Sequence, residues 1–153
     1  LVEFEGSVET TFAALRERAF ATGDWLWDPE DEPKKGPKPR TLAEWEESEY
    51  GNDYPGAHSI VDVREIVSGI ELGQIDQGEV LALTESEALA IFGTATPSVA
   101  DWNRKVELDG KSSDGAGPGL ELWDVVERDS GRFLTLSDES GGRWVAFWGM
   151  TGD

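Results

Sequence analysis

The sequence predicts an α+β fold in which an antiparallel β-meander in the C-terminal third packs against an N-terminal helical region with one or two further strands. Three observations carry this. Apolar residues recur at helical spacing behind serine and threonine caps through the first two-thirds. From Leu120 onward the pattern changes to alternation broken by glycine-rich turns. At 153 residues and 38% hydrophobic content, the chain matches one ordinary domain, 1–153, whose core needs no disulfide or metal staple.

Along the chain, "SVETTFAALRERAF" puts Val8, Phe12, Leu15 and Ala19 at helical spacing behind Ser7 as N-cap. "DWLWD" follows as a short strand or extended segment. Residues 28–40 hold Pro29, Pro33, Pro37 and Pro39, which argues against helix or central strand and for an exposed, partly extended Pro/Lys-rich loop. Thr41 opens "TLAE", a capping box with Glu44 at the third helical position. That helix runs to about Tyr50 and is broken by "GNDYPG". "HSIVDVREIV" alternates and is rich in β-branched residues, as a strand requires. "TESE" at 84–87 is a second capping box, opening a helix that ends at Gly93. Thr96-Pro97 begins the next, because proline is tolerated at the first helical position. Residues 109–119 form a flexible Gly-rich loop. Residues 121–128, 132–137 and 143–149 then read as consecutive strands, with Trp144 and Trp148 on one face and Ala146 between them.

Charge is the loudest compositional feature. Thirty-two acids against thirteen bases give −19, and segment 41–87 alone carries −11, with Arg64 its one base. Such a chain is repelled by phosphate backbones and anionic membranes, so neither direct nucleic-acid binding nor membrane association is expected. "KKGPKPR", 34–40, carries +4, but its acidic neighbours neutralise it. The absence of cysteine removes disulfides, thiolate metal sites and cysteine nucleophiles, and fits a cytoplasmic location. The apolar runs are far shorter than the roughly 20 residues that span a bilayer. The first residues lack the basic and apolar regions of a signal peptide.

Chemistry-bearing patterns are sparse. His58 is the lone histidine. With Ser59 and Asp62 it forms no ready-made triad, because a strand points 58 and 62 to one face and 59 to the other. The enzyme reading is therefore an alternative: a small hydrolase or transferase using His58 with a distant carboxylate. With one histidine and no cysteine, a metal site would need oxygen ligands. "DGKSSDGAG" puts Lys111 where a calcium loop needs a ligand, and no glutamate closes it, so no metal site is assigned. No phosphate-binding glycine loop appears, so no cofactor is expected.

The tryptophans are more informative. Trp25, Trp27 and Trp45 flank the charged loop, and Trp45 lies among Glu44, Glu46, Glu47 and Glu49. An aromatic anchor inside a carboxylate patch suits contact with a basic surface. The expected partner-binding set is Glu44, Trp45, Glu46, Glu47, Glu49, Asp53 and Trp27. Trp45 has a competing assignment as the buried residue of an amphipathic helix with Leu42.

"GAHSIVDV" together with the ending "VAFWGMTGD" resembles a group of small acidic proteins of high-GC actinobacteria. The resemblance covers two short motifs and the overall order, and implies a bacterial host but no chemistry. In size and acidity the chain is also similar to immunity proteins of bacterial toxin systems, in composition only. The expectation is an acidic interaction protein that binds and masks a basic protein partner, as an immunity protein or antitoxin masks its toxin. A nucleic-acid mimic that occupies a DNA-binding cleft is a further alternative.

Overall fold

The computed structural model of the chain describes residues 1–52, 59–110 and 120–150. Among these, five strands form one mixed sheet: β1 (Val2–Glu3), β2 (Glu65–Val67), β3 (Glu79–Ala82), β4 (Ser130–Ser137) and β5 (Arg143–Met150), in spatial order β1-β5-β4-β3-β2. β4 and β5 pair antiparallel from Ser130↔Met150 to Ser137↔Arg143. β1 adds antiparallel to β5, whereas β3 lies parallel to β4 and β2 parallel to β3. The fold is α+β, but the predicted all-antiparallel meander is corrected to a mixed sheet.

The reason lies at 121–128, the predicted first strand. Leu122–Val125 is a 3₁₀ turn. Leu122 and Val125 are three residues apart and both buried, while Trp123 between them is 48% exposed. The turn is pinned by the Trp148 indole N–H, which donates to the Leu122 carbonyl at 2.9 Å. The place beside β4 is taken by β3. Their close approach demands Gly131, where a Cβ would come within 2.9 Å of Val80 Cγ2.

Helices cover both faces of the sheet. Arg132, Leu134 and Leu136 face one side together with their cross-strand partners Trp148, Ala146 and Trp144. That side meets α5 (Glu85–Phe92) and α6 (Val99–Asp109) through Ala88, Ile91 and Trp102. Phe133 and Phe147 face the other side, where Phe12 of α1 (Val8–Thr22) packs with Val63 and Val80. A third cluster joins Ala19 and Phe20 of α1 to Leu42, Trp45 and Val61.

The caps behave as their chemistry dictates. Ser7 accepts from the Thr10 N–H, and Thr84 with Glu87 closes a capping box at the start of α5, which ends at Gly93 with φ 76°. Other expectations shift. The next helix starts after Ser98, not at Thr96-Pro97, because Ser98 and Asp101 form the capping box there. The 28–40 loop contains a 3₁₀ turn, Pro29–Asp31, and one helical turn, α2 (Glu32–Lys35), with Pro29 and Pro33 at first-turn positions that need no N–H. The helix opened by Thr41 is split into α3 (Leu42–Glu47) and α4 (Glu49–Asn52). In the predicted strand "HSIVDVREIV", residues 59–62 form a turn in which Ser59 Oγ accepts from the Val61 N–H, and only Glu65–Val67 pairs. His58, Asp53 and 111–119 of the predicted Gly-rich loop lie outside the described residues.

Candidate functional site

The acidic surface is built on α3 and the start of α4. Thr41 accepts from the Glu44 N–H, and Glu44 Oε2 accepts from the Arg40 N–H at 2.8 Å, so the helix start is closed by its own first turn. The i,i+3 pair Leu42 and Trp45 turns inward against Ala19, Phe20 and Val61. Trp45 is 1% exposed, which corrects its assignment as a surface contact. The arginine Arg64 stacks over its ring at 5.7 Å and donates to the Gly51 carbonyl.

Glu46 has a structural role. Its Oε1 accepts from Arg16 Nη2 at 2.7 Å, and the same nitrogen donates to the Val61 carbonyl at 3.0 Å. Arg16 is buried, so Glu46 neutralises a cation inside the domain. Nothing in the sequence around Arg16 signals this partner thirty residues away. Glu44, Glu47 and Glu49 stay exposed, and among the described residues none of them forms an ion pair. Glu44 and Glu47 are neighbours on one helical face. Across the described residues, exposed carboxylates outnumber exposed lysines and arginines by more than two to one.

Trp27 and Trp25 lie beside this layer. Both are half-buried and pack on the cluster that contains Leu42 and Trp45. Lys38 Nζ sits 4.8 Å from the Trp27 ring centre and 5.2 Å from that of Trp25. The tryptophans stood out in the sequence; the lysine that covers them did not.

Two grooves flank the start of α5. One, about 580 Å³, is lined by residues that include Gly69, Leu72, Ser86, Glu87 and Arg132; the other, about 540 Å³, by Ala95, Pro97, Thr135 and Arg143 among others. Two charged groups of the first groove, Glu87 and Arg132, are committed to each other, and a third, Glu71, lies exposed at its edge. Arg132, fully buried, holds Glu87 at 2.5 Å and donates to the Val125 and Ala82 carbonyls. Burial opposes ionisation of Glu87, but hydrogen bonds from Thr84 and the Arg132 guanidinium outweigh it and hold the carboxyl below its ordinary value. Among the described residues, no three histidine or carboxylate side chains gather to hold a metal ion. Also among them, no helix is long and apolar enough to cross a membrane.

Comparison with known proteins finds no match to a family model, a curated protein or a solved structure.

Proposed function

We propose that this protein is an acidic interaction protein that binds and masks a basic protein partner, in the manner of an immunity protein or antitoxin, and that Glu44, Glu47 and Glu49 form the centre of the contact. One observation carries the reading: α3 gives Leu42, Trp45 and Glu46 to the fold, while Glu44 and Glu47 of α3 and Glu49 at the start of α4 stay exposed and outside ion pairs among the described residues. Such a surface accelerates encounter with a cationic partner and rejects anionic ones.

The test is capture from host lysate at low and high salt, followed by binding kinetics on the retained protein. Association should slow steeply above about 0.15 M salt, where the Debye length is roughly 8 Å. The triple reversal Glu44→Lys, Glu47→Lys, Glu49→Lys should abolish capture while the far-UV spectrum is kept. Glu46 is left in place because its reversal would set two cations against each other in the interior. A folded triple variant that captures the same partner at the same rate would remove these three carboxylates from the interface. Retention of no basic protein at any salt would remove the reading itself.

A further inference from the structure

We propose that Trp25 and Trp27 form a receptor for an alkylammonium head group, that Lys38 fills it in the free protein, and that a lysine side chain of the basic partner takes Lys38's place on binding. The last step rests on the partner reading above; the receptor does not. Trp25 and Trp27 are two residues apart outside any helix, half-buried, with Leu26 between them 57% exposed, so both rings turn to the same side. Their positions are held by other parts of the chain. Trp25 stacks on Phe20 at 4.9 Å with 13° between the planes, and its indole N–H donates to the Phe20 carbonyl at 3.1 Å. Trp27 is packed on the same cluster, with its indole nitrogen buried. Rings fixed before binding need little ordering when a ligand arrives.

Lys38 identifies the ligand class. Its Nζ lies within the roughly 6 Å reach of a cation–π contact to both rings at once. Although Asp24, Asp28 and Glu30 are exposed in the same stretch, Nζ makes no ion pair among the described residues. The ammonium is therefore held by ring faces, the mode by which aromatic sites select alkylammonium over other cations. The arm that carries it is turned by Gly36, at φ 87°, and seated by buried Pro39, while Lys38 itself is exposed and displaceable. The carboxylates around the rings reject anions and draw in cations. Because the occupant is a primary ammonium, the natural competitor is another lysine. The pair adjoins the cluster beneath α3, so an incoming lysine would meet an aromatic seat beside the exposed carboxylates.

The experiment records indole ¹H–¹⁵N signals of the full chain, wild type and Lys38→Ala, during titration with Nα-acetyl-lysine methylamide, its norleucine analogue and choline. Trp25 and Trp27 should shift saturably with the lysine compound and not with norleucine. The dissociation constant should be about two- to fivefold lower in Lys38→Ala, the factor matching one exposed cation–π contact. Lys38→Gln, which keeps part of the side-chain stem over the rings, should give the same direction and guards against local misfolding. Equal shifts with lysine and norleucine, or equal constants in wild type and both Lys38 variants, would overturn the receptor. Binding of choline without the lysine compound would overturn the assignment to a partner's lysine. The triple reversal of Glu44, Glu47 and Glu49 should weaken this titration through its added positive charge but keep the preference for the lysine compound over norleucine and the tighter binding in Lys38→Ala, so failure of the interface reading and failure of the receptor are separable.

Discussion

Replacing Glu87 with Ala should destabilise the domain by about 3 kcal/mol, the lower end of the range for breaking a buried ion pair. The structure sets that magnitude. The Arg132 side chain is fully buried, whereas that of Glu87 is 22% exposed, so the charge stranded by the substitution is the one water cannot reach. Two carbonyl acceptors, on Val125 and Ala82, remain and reduce the loss without neutralising the cation. Arg132→Met should cost less, about 0–2 kcal/mol, because Glu87 keeps its Thr84 hydrogen bonds at 2.7 and 2.8 Å and can hydrate. The double variant should then be more stable than Glu87→Ala alone, since it no longer buries an unpaired cation. Urea unfolding followed by far-UV circular dichroism reads all three. With a slope of about 2 kcal/mol/M, Glu87→Ala should lower the midpoint by about 1.5 M. If the double variant is as unstable as the sum of the singles, the stranded-charge argument is wrong.

Two further expectations follow from side-chain placement. Trp45→Ala should cost about 3–5 kcal/mol, as for a large aromatic removed from a core, and an unchanged urea midpoint would return Trp45 to the surface. Asp138 accepts from the Ser140 hydroxyl, the Trp144 indole and the Gly142 N–H, which hold its pKa at about 2 instead of 3.8. Its stabilising effect is therefore present above pH 4 and lost as pH falls toward 2. The melting-temperature gap between wild type and Asp138→Asn should be constant near neutrality and close between about pH 4 and pH 2; a gap that persists unchanged at pH 2 contradicts the assignment.

Local chemistry was legible in the sequence. Ser7, Thr41 and the Thr84–Glu87 box mark real helix starts, because a cap is made within one turn of chain. The β4–β5 hairpin was also readable, since its pairing is set by a short turn and by alternation on one face. The carboxylates Glu44, Glu47 and Glu49 are exposed as expected, as charged residues with no partner to bury them must be, although the one helix predicted for them is two.

What the tertiary structure decided are the long-range choices. The pattern around 121–128 suits a third strand, yet Leu122 and Val125 reach the core as a 3₁₀ turn and β3, some fifty residues earlier, pairs with β4 instead. Parallel pairing leaves no turn in the sequence to announce it. Trp45 had two consistent assignments from helical spacing, and only the packing of α1 against α3 selected the buried one. Glu46 looks like its neighbours until Arg16 arrives from another helix, and Lys38 looks like a loop charge until the chain lays it across two tryptophans. A residue's type and spacing determine what it can bond to; whether that partner arrives depends on segments far away in the chain.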